Sequence, residues 1–136
     1  MSGIKNQASE LFYLNIYGNN CDEVGAPIPW WYRAKITITS ANEEITTELE
    51  LLTTEDLHLL EQWLRQIYAG EPTTPIFQFV DGHVWFSLCK KCNTPILRFF
   101  IQVDEMTEYH WDWDYQKDND KLFLDYIAKE INGLKG

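Results

Sequence analysis

The chain has 136 residues, of which 45% are apolar and 15% aromatic, so it can bury the core of one domain without disulfide staples and is not a disordered segment. Eleven basic against 21 acidic residues leave a formal charge of −10, a field that repels nucleic acid and anionic lipid and attracts basic surfaces. No run of about 18 apolar residues occurs, and the N-terminus lacks an apolar stretch followed by a small-residue cleavage site, which argues against a membrane protein and for a cytoplasmic one.

Residues 1–136 show no Pro/Gly/Ser linker, no long-period repeat and no low-complexity tract, so a single domain is expected. A first strand is predicted through "LFYLNIY", with Phe12, Leu14 and Ile16 on one face. The turn-rich "GNNCDEVGAPIP" then holds Cys21 in a loop. From Trp30, "WWYRAKITIT" alternates Tyr32, Ala34, Ile36 and Ile38 against Arg33, Lys35, Thr37 and Thr39. The pattern resumes in "EITTELELL", with Ile45, Thr47, Leu49 and Leu51 opposite Thr46, Glu48 and Glu50. The two segments read as an antiparallel hairpin whose exposed faces, one basic and one acidic, favour cross-strand pairing.

A helix is predicted over "TTEDLHLLEQWLRQIYAG". Thr53 caps it with Asp56 three residues on, Gly70 supplies a left-handed stop, and Leu57, Leu60, Leu64 and Ile67 form its buried stripe. His58 lies off that stripe. Strands are then expected in "IFQFV", "VWFSLC", "PILRFFIQV" and "YHWDWDY". A last helix from about Asp120 to Asn132 aligns Phe123, Ile127, Ile131 and Leu134 and ends at Gly133. This order predicts an α+β fold: an antiparallel β-sheet of about six or seven strands with two helices, one mid-chain and one C-terminal.

Two segments could carry chemistry. In "SLCKKCNTP", Cys89 and Cys92 have the spacing of half a zinc site, but a closed site needs four ligands, and only Cys21, His83 and His110 remain to complete it. A dithiol redox centre would place Cys-x-x-Cys at a helix N-terminus, whereas here a strand follows. The polar, Asn-containing tip also reads as a plain hairpin turn between two β-patterned runs. Three cysteines at irregular spacing are not a secreted disulfide framework. No nucleophile elbow, metalloprotease helix or phosphate loop accompanies the three histidines, so no catalytic residue and no cofactor is assigned.

The second segment is "DEMTEYHWDWDYQKDND". As a strand it sets Tyr109, Trp111, Trp113 and Tyr115 on one face and Glu108, His110, Asp112 and Asp114 on the other. An edge strand with aromatics inward accounts for this pattern. So does a recognition ridge of residues Glu108, Tyr109, His110, Trp111, Asp112, Trp113 and Asp114, joining aromatic anchors to steering carboxylates. Metal binding by Asp112, Asp114 and Asp118 is a third reading, although the segment lacks the glycine and terminal Glu of an EF-hand.

The layout resembles the WapI-type immunity proteins, antidotes encoded beside polymorphic contact-dependent toxins. The similarity runs through "PWWYRAKITI" and "LLTTEDLHLLEQWLRQIYAGEPTTPIFQF", where a Leu-x-x-Leu-x-x-Trp-Leu helix falls on Leu57, Leu60, Trp63 and Leu64. It continues in "VWFSL…PILRFFIQV" and "LFLDYIAKEINGL". The resemblance implies a non-enzymatic protein that binds a cognate toxin and occludes its active surface. A toxin with a basic face, such as a nuclease, would suit a chain of charge −10. The alternative is a small metal-binding or regulatory module on Cys89 and Cys92.

Overall fold

Period-two alternation along the first half of the chain closes into an antiparallel meander. The computed structural model describes residues 3–40, 42–115 and 121–134. Strands β1 (Ile4–Lys5), β2 (Leu11–Cys21), β3 (Pro27–Ser40) and β4 (Glu43–Thr53) lie side by side in that order. Phe12, Leu14, Ala34, Ile36 and Ile38 turn inward, as their alternation predicts. The expected pairing of basic and acidic outer faces is present between Lys35 and Glu48, 3.7 Å apart.

The alternation slips where the register shifts. Between Tyr32↔Leu52 and Ala34↔Leu49 the fourth strand carries one extra residue, so Leu52 is buried and the expected inward Leu51 is only half-buried. Two further shifts in β2, at Ile16/Gly18 and Asn19/Cys21, carry that strand through the predicted loop as far as Cys21. Asn19 replaces lost ladder bonds by donating from Nδ2 to the Ile28 carbonyl at 3.1 Å.

Helix α1 (Thr54–Tyr68) follows with the predicted caps. Thr53 Oγ1 accepts the Asp56 N–H at 3.0 Å, and Asp56 Oδ2 accepts the Thr53 N–H at 3.3 Å. Gly70 stands at φ 71°, the left-handed stop. Leu57, Leu60, Leu64 and Ile67 are buried, joined by Trp63, and His58 is exposed. Asp56 also accepts the Val80 N–H at 3.3 Å, tying the helix start to the loop ahead. Burial raises its carboxyl above the ordinary range despite the hydrogen bonds from Thr53 and Val80.

A second meander, β5 (Ile76–Gln78), β6 (Val84–Lys91), β7 (Thr94–Gln102) and β8 (Glu108–Trp113), is followed by α2 (Leu122–Gly133). The α+β class holds, with eight antiparallel strands among the described residues, in two four-stranded sheets instead of six or seven in one. The added strand, Ile4–Lys5, is too short to leave a periodic signal. The two sheets part at the edge of β4, which the β5–β6 loop occupies: Glu50 donates its N–H to Asp81 Oδ2 at 2.8 Å, and Thr47 Oγ1 meets His83 Nε2 at 2.8 Å. Asp120, the expected start of the last helix, is outside the described residues. Within α2, Phe123, Leu124, Ile127 and Ile131 are buried and Leu134 packs against them.

One core serves both sheets. The Phe12 ring lies 5.1 Å from Phe99, 5.1 Å from Trp111 and 5.3 Å from Phe123, centroid to centroid. Trp63 of α1 packs 6.2 Å from Phe86, and Tyr126 Oη of α2 accepts the Leu14 N–H at 2.9 Å. Urea unfolding at pH 7 should therefore show Phe12→Ala destabilised by about 3–5 kcal/mol. The same measurement on Thr53→Ala should give about 1 kcal/mol, since it removes one cap and leaves the core intact.

Candidate functional site

The chain reverses at Cys92 and Asn93, at φ 51° and 67°, between paired Lys91 and Thr94. Two successive left-handed residues make a type I′ turn, whose twist matches the strands it joins. "CKKC" is therefore the end of a hairpin. Cys89 sits half-buried on β6 with its thiol 3.6 Å from Ser87 Oγ, while Cys92 at the tip and Cys21 at the end of β2 are exposed. His83 is engaged by Asp81 at 2.6 Å and by Thr47. Among the described residues no three His, Cys, Asp or Glu side chains converge to hold a metal ion.

On β8 the two faces separate as the alternation requires. Trp111 and Trp113 point inward and are 1% exposed, with Tyr109 packed beside them. The Trp111 indole N–H donates to the Glu10 carbonyl at 2.9 Å, and that of Trp113 to Tyr68 Oη at 3.1 Å. Both tryptophans belong to the core and present no contact surface, which corrects their place in the ridge. Glu108 and His110 are exposed and Asp112 is half-buried on the outward face. Asp114 follows the strand end, partly exposed, and Asp118 lies outside the described residues.

Asp112 is not a free carboxylate. Arg98 on β7 grips it through Nε at 2.6 Å and Nη2 at 3.1 Å, Lys91 Nζ is 3.8 Å away, and His110 Nδ1 is 3.4 Å away. Burial alone would raise its pKa. The hydrogen bonds and charge of Arg98, with His110 and Lys91 adding, outweigh burial and hold the carboxyl below the ordinary range. The same hydrogen bonds raise Arg98.

Strand register assembles around Asp112 a face that β8 alone does not reveal. Trp85 on β6 is opposite Phe100 on β7, which is opposite His110 on β8. The Trp85 and Phe100 rings stack at 5.0 Å with a 14° interplanar angle, and His110 meets Phe100 edge-on at 6.2 Å. The adjoining row is Ser87, Arg98 and Asp112. Neighbours Val84, Phe86, Phe99 and Ile101 all point into the core. The helices also pack on that inner side, Trp63 and Phe123 against Phe86, so neither covers the outer face. The signal for Trp85, Arg98 and Phe100 was present in the alternation of their strands, but the register that aligns them with His110 is a tertiary property.

A family model described as the immunity protein WapI-like family matches residues 3–135. The chain belongs to this family. No curated protein and no solved structure matches it. The WapI-like match spans both sheets and both helices, including the helix that carries Leu57, Leu60, Trp63 and Leu64. No helix among the described residues is long and apolar enough to cross a membrane.

Arg98→Met would strand the Asp112 carboxylate on a half-buried face. At pH 7 it should lower stability by about 1.5–3 kcal/mol. Because the folded carboxyl lies below its unfolded value, the contribution of this pair is complete above about pH 4 and disappears as the pH falls through the folded value. The difference between Arg98→Met and the parent should accordingly shrink in urea titrations repeated toward pH 2.

Proposed function

We propose that this WapI-like immunity protein binds a cognate toxin domain and occludes its active surface through the outer face of the second sheet. The observation that carries this reading is the outward-facing row of half-buried Trp85 and Phe100 and exposed His110, which neither helix covers. Aromatic rings held rigid by a sheet lose little conformational entropy on binding and are the side chains that dominate interface energetics. Glu108 and the loop residues Asp104 and Glu105, all exposed, supply negative charge beside that row.

The partner that fits has a basic face around an apolar recess, as a nuclease active surface would have. The overall charge of −10 steers such a partner toward the chain, and Glu108 and Asp114 orient it. Since Arg98 already neutralises Asp112, steering falls mainly on Glu108 and the loop, and the aromatic row supplies affinity. The protein acts by binding, in the cytoplasm of the cell that makes it, and turns nothing over.

The test is calorimetric titration with an inactivated C-terminal domain of the large open reading frame beside the gene. One-to-one binding tighter than about micromolar, weakening with salt, is the expected result. Phe100→Ala should weaken it at least about tenfold, chiefly through faster dissociation, and Glu108→Lys should slow association at low salt. Binding that Phe100→Ala leaves intact would remove this face from the interface. No heat at either 25 °C or 10 °C would remove the toxin partner.

A further inference from the structure

Beyond the second sheet, the first carries a surface of different character. Past the register shift at Asn19/Cys21, where β4 has ended, β2 and β3 continue as a two-stranded arm in which residues 21–27 are all exposed. The arm is nevertheless built stiffly. Asp22 Oδ1 accepts the N–H groups of Val24 and Ala26, each at 2.9 Å. At the base, the Glu50 carbonyl accepts from Asn20 Nδ2 at 3.2 Å and from the Trp31 indole N–H at 2.8 Å. Trp30, 56% exposed, stacks on Trp31 at 6.1 Å. Tyr17, 41% exposed, carries the Arg33 guanidinium 5.1 Å above its ring.

These groups surround a hollow of about 330 Å³ lined by Tyr17, Asn20, Trp31, Arg33, Glu48 and Glu50. Glu48 is engaged by Lys35. Among the described residues, the side chains of Arg33 and Glu50 form no ion pair, although they flank the same hollow from neighbouring strands across the β3–β4 register shift. A complementary surface must present an acid and a base in the reverse order beside an aromatic ring. A two-fold axis passing between Arg33 and Glu50 does this, because it sets Arg33 of each copy against Glu50 of the other.

Charge also selects the occupant. Two chains of −10 repel wherever acid faces acid, and this patch sets Arg33 of the lining, and Lys35 beside it over Tyr17, against Glu48 and Glu50. A uniformly basic toxin face would instead meet Arg33 and Lys35 with like charge. We infer that the hollow at the base of the β2–β3 arm is a contact between two copies of this chain, in which Arg33 of each copy pairs with Glu50 of the other across stacked Trp30 and Trp31 rings. The contact uses the first sheet and is independent of the toxin-binding reading.

Sedimentation velocity on the purified protein from about 1 to 200 μM at moderate salt tests it. A concentration-dependent monomer–dimer equilibrium is expected. Trp30→Ala, Arg33→Glu and Glu50→Arg should each weaken the dimer at least tenfold. Mixing Arg33→Glu with Glu50→Arg should restore it, because every 33–50 pair in the heterodimer is then oppositely charged, and that rescue also shows that both variants are folded. A monomer at all concentrations, a dimer indifferent to the three substitutions, or a mixture that stays monomeric would overturn the inference. So would binding of the inactivated toxin domain that Trp30→Ala abolishes.

Discussion

Burial of Phe12 against Phe99, Trp111 and Phe123 makes one core of two separately wound sheets. Each four-stranded meander turns a continuous apolar face inward, and neither could remain folded in water with that face exposed. Phe12 comes from β2, its partners from β7, β8 and α2, so the contact joins segments far apart in the chain. The helices then pack where the sheets meet, and their position on the inner side leaves the outer faces of both sheets open. The availability of Trp85, Phe100 and His110 for a partner is thus a consequence of where the core was placed.

Buried Asp56 and half-buried Asp112 show how the same fold treats acids differently. Asp56 accepts hydrogen bonds from backbone N–H groups, but burial outweighs them and, with the nearby charge of Glu55, raises it; its stabilising contribution is present at low pH and lost as the pH rises. Asp112 faces Arg98, Lys91 and His110, which outweigh burial; its contribution is present at neutral pH and lost on acidification. The first acid organises a helix start and the second aligns β7 with β8. Neutralising Asp112 also keeps the aromatic row from being flanked by an unpaired half-buried charge, which any docking partner would have to desolvate.

Local chemistry was legible where a segment decides its own structure. The Thr53–Asp56 capping box, the Gly70 stop, the apolar stripe of α1 and the inward phase of Ala34, Ile36 and Ile38 all follow from neighbours a few residues apart. What was not legible depends on long-range geometry. The slip that buries Leu52 in place of Leu51 requires the register of β3 against β4. The split into two sheets falls where Asp81 and His83 reach the edge of β4. The inward face of β8 was readable from alternation, yet Trp111 and Trp113 could be counted as anchors of a ridge because their depth depends on what packs against them. Conversely, Trp85 and Phe100 read as ordinary strand residues until pairing set them beside His110.

If a toxin domain covers the outer face of the second sheet, hydroxyl-radical footprinting of the chain alone and saturated with the inactivated toxin domain will register it. Side-chain labelling at Trp85, Phe100 and His110 should fall on saturation, with Val24 on the arm unchanged. Saturable binding that leaves labelling of that row unaltered would contradict the account.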